Sequence, residues 1–329
     1  MERPERRLSG MRALVVLNPN ATTTSVRTRD VLLSALSNDL DLEVSETTHR
    51  GHATELSRQA RADGVDLIVS VGGDGTINEV ANGLLTDDDV SGADSGGADG
   101  GRSGSLPDVA IIPGGSTNVL ARNLGIPESP VEATGLLLDA LRSSRRQSIG
   151  LGRLDDRYFT FAAGFGFDAD VIRAVEAERD RGRTSTVPLY VRTAIRRFFT
   201  QDDRTHGTIE LVADDGNPVP GLSIVIITNC TPWTYLGARP LRPTPYADLN
   251  AGLDVFALAG LRLAPTLLRL GQLTTRRGPR GRNVVSLHDR KQITLRADDP
   301  LPVQVDGDYI GERTEIILTS VPNALRIVY

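Results

Sequence analysis

The sequence holds one cysteine, Cys230, and one lysine, Lys291, in 329 residues. A single cysteine excludes an internal disulfide and a multi-cysteine zinc site. Cys230 reads as a small buried hydrophobe. The scarcity of lysine excludes a P-loop of the GxxxxGK[ST] type, because Lys291 follows Asp289-Arg290 and not a glycine. No apolar run reaches the roughly 18–20 residues of a bilayer span. The first ten residues are charged and lack an apolar centre, so no signal peptide is expected and the expected compartment is the cytoplasm. The net charge of −5 gives no case for a nucleic-acid partner. What the chain does have is 39% hydrophobic residues, enough for two domains of ordinary size.

Residues 65–84, VDLIVSVGGDGTINEVANGL, carry the most information. A β-branched run at 65–71 enters the turn Gly72-Gly73-Asp74-Gly75-Thr76, and a helical run at 77–85 leaves it. Strand, glycine loop and helix together present backbone N–H groups and a helix N-terminus to a phosphate. Glycines let the main chain approach closely. Asp74 puts a carboxylate where anionic phosphates would sit, which calls for a divalent cation between them.

The first 150 residues alternate strand and helix. Strands are expected at 12–17, 42–47, 65–71 and 109–112, and helices at 25–36, 53–62, 77–85, 117–124 and 130–142. This pattern predicts an α/β domain with a doubly wound, mostly parallel sheet. Ligands in such sheets bind beyond the carboxyl ends of the strands. There lie Asn18-Pro19, 47–51, 72–76 and 114–118. Residues 87–105 are acidic and rich in Gly and Ser, and read as a mobile surface insertion. From about 149 the pattern becomes β-rich, with short strands expected at 158–163, 207–213, 222–228, 253–258, 283–287, 292–296, 303–305 and 314–318. An antiparallel sandwich or barrel is predicted, interrupted by helices near 168–177 and 188–200. The expected domains are 1–148 and 149–319, with 320–329 returning to the first.

Several smaller signals add chemistry. Pro113-Gly114-Gly115-Ser116-Thr117-Asn118 is a second strand–glycine–helix element, in which Ser116 or Thr117 is expected to cap the helix. Gly164-Phe165-Gly166-Phe167-Asp168-Ala169 matches G-x-G-x-x-A, but its place in the β-rich half argues against a dinucleotide site. Asp306-Gly307-Asp308 is a turn with two carboxylates, one of which can act as a general base. The stretch 189–199 has an apolar stripe beside arginines, read as core packing or as an interfacial helix. Arg276, Arg277, Arg280 and Arg282 form a second basic cluster. His49, His52, His206 and His288 show no metal-ligand spacing.

Asn18-Pro19, Gly72–Glu79 (GGDGTINE), Pro113–Arg122 (PGGSTNVLAR), Gly164–Ala169 and Asp306–Asp308 occur in this order over nearly the whole chain. Together they resemble the diacylglycerol kinase catalytic-domain family, which includes bacterial diacylglycerol and related lipid kinases and sphingosine kinases. The resemblance implies an α/β nucleotide domain, a β-sandwich lipid domain and a requirement for ATP and Mg²⁺. It implies nucleotide contacts at Asn18, Pro19, Asn20, Ala21, Thr22, Thr47, Gly72, Gly73, Asp74, Gly75, Thr76, Ile77, Asn78, Glu79, Ser116 and Asn118. It implies metal ligands among Asp74, Asp168 and Asp254, and catalytic roles for Asp74 and Asp308. The expected reaction is phosphorylation of a lipid hydroxyl, diacylglycerol or a related lipid, at the inner face of the membrane. Three departures stand out. Asp308 replaces the family's glutamate, Val119 stands where many bacterial members carry Asp, and the motif around Asp254 is one leucine short, with Ala251 in place of an acid. Two alternatives stay open: a catalytically impaired lipid or nucleotide sensor, and an NAD kinase-like enzyme. Oligomeric state, a homodimer included, is not legible.

Overall fold

The apolar runs of the first half form parallel strands buried on both faces. The computed structural model describes residues 10–21, 25–86, 106–180, 192–193, 196 and 207–329. The expected insertion at 87–105 and most of the stretch at 189–199 lie outside the described residues. The chain divides into two units, Met1–Gly150 with Pro322–Tyr329, and Leu151–Val321.

In the first unit the order is β1 (Arg12–Leu17), α1 (Val26–Ser37), β2 (Asp41–Glu46), α2 (His52–Ala62), β3 (Leu67–Gly72), α3 (Asp74–Leu84), β4 (Asp108–Pro113), α4 (Val119–Asn123) and α5 (Pro130–Arg142). The strands lie β2-β1-β3-β4, all parallel, with Val15 opposite Val44 and Val69, and Val69 opposite Ala110. Every residue of β3 and β4 is buried, as expected for central strands with helices on both faces. β2 sits at the edge, where Asp41, Glu43, Val44 and Glu46 are exposed. Ser25 caps α1 by accepting from the Thr28 amide at 3.2 Å. Ser129 caps α5, with Pro130 in its first turn. α3 starts at Asp74 and not at 77, because Gly73 serves as its N-cap.

The C-terminal residues close this sheet on the far side of β4. Ile327 pairs parallel with Val109, and the Val328 amide donates to the Val109 carbonyl at 2.9 Å. The buried Asp108 carboxylate accepts from Arg146 Nε and Arg326 Nε, one guanidinium before the second unit in sequence and one after it.

The second unit is antiparallel and strand-rich. Its elements are β5 (Gln147–Leu154, which begins in the first unit), β6 (Arg157–Phe159), β7 (Ala162–Gly166), α6 (Phe167–Asp180), β8 (Ile209–Ala213), β9 (Pro218–Leu222), β10 (Ile224–Thr228), β11 (Thr234–Leu236), β12 (Arg239–Leu241), β13 (Leu253–Leu258), α7 (Leu263–Gln272), β14 (Val284–Arg290), β15 (Gln292–Val305) and β16 (Asp308–Ile327). The order β14-β13-β10-β7-β15-β16 is continuous, and the first half of β15 also pairs with β8. Alternate residues such as Phe165, Val225, Ile227, Val255, Val303 and Val305 point into one core. The strand expected at 158–163 is two strands, because residues 160–162 turn their amides toward Asp306. The stretches expected as separate strands at 292–296 and 303–305 are one strand with irregular register.

Removing the carboxylate in Asp108→Ala leaves two guanidinium groups without their shared acceptor. We expect a loss of about 2–3 kcal/mol of stability in urea unfolding.

Candidate functional site

Four loops at the carboxyl ends of the parallel strands are hydrogen-bonded into one edge. The Asn18 amide donates to the Val71 carbonyl at 2.9 Å. Its side-chain oxygen accepts from the Asn20 amide at 2.9 Å, and Nδ2 donates to Thr76 Oγ1 at 3.3 Å. The Ala21 amide closes the turn onto the Asn18 carbonyl at 3.0 Å, so Asn18 to Ala21, with Pro19 between, stand against the loop after β3. The Thr47 amide donates to the Leu17 carbonyl at 2.8 Å. Thr22 lies outside the described residues.

The two glycine loops touch through their backbones. The Gly114 amide donates to the Gly72 carbonyl at 2.8 Å. A Cβ on Gly115 would stand 2.7 Å from the Gly73 Cα, and one on Gly114 would stand 2.9 Å from the Ala21 Cβ. Side chains here would force the loops apart. Gly75 differs, since a Cβ there would meet nothing within 4 Å. Internal packing gives no reason for glycine at 75, and the space beside it opens at the N-terminus of α3, which has no side-chain cap. Such a terminus favours an anion.

Asp74, the first residue of α3, accepts from the Leu120 amide at 3.3 Å through Oδ1 and so reaches the start of α4. The expectation that Ser116 or Thr117 caps α4 is not met. Asn118 is the N-cap, in a left-handed conformation with φ 48° that Asn tolerates better than most residues. Its Oδ1 accepts from the Gly115 amide at 3.0 Å and its Nδ2 donates to the Gly115 carbonyl at 2.8 Å, which leaves Ser116 exposed at the loop tip.

Among the expected nucleotide contacts, Ile77 and Asn78 point inward and Glu79 is partly buried. Ile77 and Asn78 are each 2% exposed, and Asn78 accepts from Asn82 Nδ2 at its carbonyl, 2.8 Å, and its side-chain oxygen, 3.2 Å. Glu79 accepts from the Gly51 amide at 2.9 Å and the Ala53 amide at 3.1 Å. It therefore caps α2. Five residues of helix place it about 140° round from Asp74.

Two of the histidines stand close together, against the expectation of no metal-ligand spacing. His49, His52 and Glu55 gather their ligand atoms within 4.8 Å of one another on the surface of α2 and the loop before it. His52 Nδ1 already accepts from the Thr48 amide at 3.1 Å, so that nitrogen has no lone pair to spare for a metal. His288 is paired too: its Nδ1 lies 2.7 Å from Asp254 Oδ1.

In the second unit, Asp306 and Asp308 divide into two roles. The Asp306 carboxylate accepts from the amides of Thr160, Phe161 and Ala162 and from Thr160 Oγ1, all at 2.7–3.0 Å. Burial pushes its carboxyl up, and the four donors pull it back. Asp306 is thus the clamp that sets the turn. Asp308 is partly exposed and lies 3.1 Å from Arg157 Nη2. Gln304, 2% exposed, joins this turn to α6: its Oε1 accepts from the Gly307 amide at 2.9 Å and its Nε2 donates to Asp168 Oδ2 at 2.9 Å. A Cβ on Gly164 would stand 2.3 Å from that same Asp168 oxygen. Gln304 was not foreseen, although a lone polar residue among the apolar positions 301–305 is a readable signal.

Asp168 and Asp254 are not brought together. Asp168 sits over Gly164, whose partners across the sheet are Ile226 and Phe256. Asp254 is paired with Thr228, two strands away and two residues further along. That is about 12 Å. Asp254 is buried, and its Oδ1 also takes the Asp289 amide at 3.0 Å. Burial raises its carboxyl, opposed by the Asp289 amide and by His288.

Burial raises the Asp168 carboxyl to about 6 from 3.8, opposed by Gln304. Its folded value lies above the unfolded one, so the folded chain holds the proton more tightly. Stability falls as pH rises through about 4 to 6, and the charged form costs stability above that window. Asp168→Asn keeps an oxygen for Gln304 and removes the charge. We expect it to gain about 1–2 kcal/mol at pH 7.5, and to gain nothing below about pH 4, in urea titrations at both pH values.

Residues 12–153 match the family described as the diacylglycerol kinase catalytic domain. A diacylglycerol kinase of Bacillus subtilis (strain 168) is 35% identical over 120 residues, which are 36% of this chain and 33% of that protein. The chain thus spans about a third of that relative's length in the match. A diacylglycerol kinase of Staphylococcus aureus (strain MRSA252) is 26% identical over 92% of this chain and 87% of that protein. Among solved structures, a diacylglycerol kinase from Bacillus anthracis str. Sterne superposes with a TM-score of 0.69 at 19% identity, covering 97% of each chain, which establishes the shared fold. The joined glycine loops and the GGDGT turn at the strand ends lie within residues 12–153, the part of the chain that matches the diacylglycerol kinase catalytic domain.

Proposed function

We propose that this chain is an ATP- and Mg²⁺-dependent lipid kinase that phosphorylates a lipid hydroxyl, diacylglycerol or a related lipid, at a membrane surface. The observation that carries the reading is the open space at Gly75, beside the uncapped start of α3 and two glycine loops already braced against each other. Amides of the first turn of α3 bind phosphate oxygens there. Asp74 fits a cation ligand in its donor chemistry and its place at this opening, and Mg²⁺ when bound supplies the charge that offsets the phosphates. The lipid hydroxyl oxygen forms the new bond to the γ-phosphorus, the bond to the β-phosphate oxygen breaks, and ADP leaves. Asp308 takes the hydroxyl proton, and Arg157 holds its carboxylate in place. Positioning and electrostatics do most of the work in such transfers.

The decisive experiment incubates the purified chain with labelled ATP, Mg²⁺ and a panel of diacylglycerol, monoacylglycerol and sphingoid base in mixed micelles, with NAD as a further acceptor. Labelled phospholipid is the expected product. Label appearing in NAD alone would overturn the reading. In the same assay Asp308→Asn is expected to lose at least roughly 10²-fold in kcat. A loss under about threefold would move the base elsewhere, with Glu312 next in line. Asp74→Asn keeps the oxygen that Leu120 uses and should lose activity with its fold intact.

The two kinds of glycine separate ligand space from packing. Gly75→Ala is expected to unfold like the wild type and to bind ATP at least roughly tenfold more weakly. Gly115→Ala is expected to lower Tm by several degrees, about 1–3 kcal/mol. Scanning calorimetry and ATP titration on both variants check the contrast.

A further inference from the structure

α7 is built inside out. Thr266 is its buried residue, and its hydroxyl has no hydrogen-bond partner. Arg269 turns inward, with Nε 3.3 Å from Asn283 Oδ1, Nη1 3.0 Å from Gln272 Oε1, and its guanidinium packed over Gly281. The leucines face out: Leu263, Leu267, Leu268 and Leu270 are 49%, 59%, 57% and 52% exposed. Leu263, Leu267 and Leu270 recur at the spacing of one helical stripe. Ala264 and Gly271, the other exposed positions of the helix, are apolar as well. A single exposed leucine needs no explanation. Four on one ten-residue helix, with no charged side chain among its exposed positions, mark a surface made to meet an apolar phase.

The surrounding charge is of one sign. Residues 255–288 hold no Asp or Glu and six arginines, in a chain whose net charge is −5. Arg262, Arg276, Arg277, Arg280 and Arg282 are exposed, and none has an ion pair among the described residues. Tyr246, 64% exposed, stands on the neighbouring loop, which is tied to α7 by the Arg242 amide donating to the Leu273 carbonyl at 2.7 Å and by Pro245 packed on Gly278. Tyrosine suits a boundary between apolar and wet phases.

Two occupants could cover the leucines: a second copy of this chain or a lipid surface. A two-fold interface sets the same patch against itself, so it would bring these unpaired arginines toward their own copies. An anionic bilayer complements both features, taking the leucines among its acyl chains and the arginines among its headgroups. Ten residues of helix are about 15 Å long, half the thickness of the hydrocarbon core, so α7 can lie in the surface and cannot cross it.

We propose that α7 and the arginine run at 276–282 dock this chain onto anionic bilayers, with the leucines of α7 seated at the headgroup–acyl boundary. The inference deepens the lipid-kinase reading, whose substrate lives in such a surface, but docking needs no catalysis and is tested apart from it.

The test is sedimentation of the full chain with vesicles of phosphatidylcholine, with and without phosphatidylglycerol, at low and high salt. Binding is expected to the anionic vesicles and to weaken with salt. The double variant Leu267→Gln/Leu270→Gln should keep the wild-type Tm, because both side chains are more than half exposed, and should partition at least roughly tenfold more weakly. The triple variant Arg276→Gln/Arg277→Gln/Arg280→Gln should lose the preference for phosphatidylglycerol. Phosphorylation of a short-chain acceptor dispersed in water should stay at the wild-type rate in both variants. Undiminished vesicle binding by the leucine variant would overturn the proposal. So would light scattering that finds a wild-type dimer and a monomeric leucine variant, which would make this face a subunit interface. Vesicle binding by a chain that phosphorylates no lipid would sink the kinase reading and leave the docking surface standing.

Discussion

The contact of two glycine backbones, Gly73 against Gly115, is the constraint on which the candidate site rests. It lets the loops after β3 and β4 share the Gly72–Gly114 hydrogen bond, and it brings the start of α3 within reach of α4, where Asp74 accepts the Leu120 amide. Asn18 adds the loop after β1 to the same edge. The loops are thus tied to one another by their own hydrogen bonds, which lowers the ordering cost for any ligand bound there. The glycines here have two separable uses. Those at 73, 114 and 115 allow the loops to close on each other, and the one at 75 keeps space clear.

Much of this was legible in the sequence because local pattern and global fold agree there. The buried strands at 12–17 and 253–258 and the helix at 130–142 fall where periodicity put them. The failures have physical causes. Ser116 and Thr117 are the usual capping types, yet the backbone at Asn118 takes a left-handed turn and its own amide side chain closes the loop. Glu79 belongs to an eight-residue motif that reads as phosphate chemistry, yet helical rotation carries it to the start of α2. α7 escaped notice because its leucines face outward and Pro265 and Gly271 interrupt the pattern that a buried helix would show. In each case the deciding fact is direction in three dimensions, which spacing along the chain does not contain.

The second unit shows how one turn is held from two sides. Asp306 gathers three amides and a hydroxyl from residues 160–162, and Gln304 links Gly307 to Asp168. The two buried polar groups are satisfied by specific donors, so the turn has one low-energy shape. Asp308 inherits its position from that shape. A carboxylate one methylene shorter than glutamate depends on such backing, since its own side chain has less freedom to search for a partner.

The last strand has a consequence for how the molecule is made. The first unit borrows residues 322–329 for its sheet, and Arg326 for its buried carboxylate. A ribosome therefore finishes the whole second unit before it delivers the edge that covers β4. Until then β4 lacks its partner at Val109, at the start of an apolar strand, and unpaired apolar strand edges are where neighbouring chains aggregate. Arrival of residues 322–329 is thus the step that completes the first unit, after the whole of the second has been made.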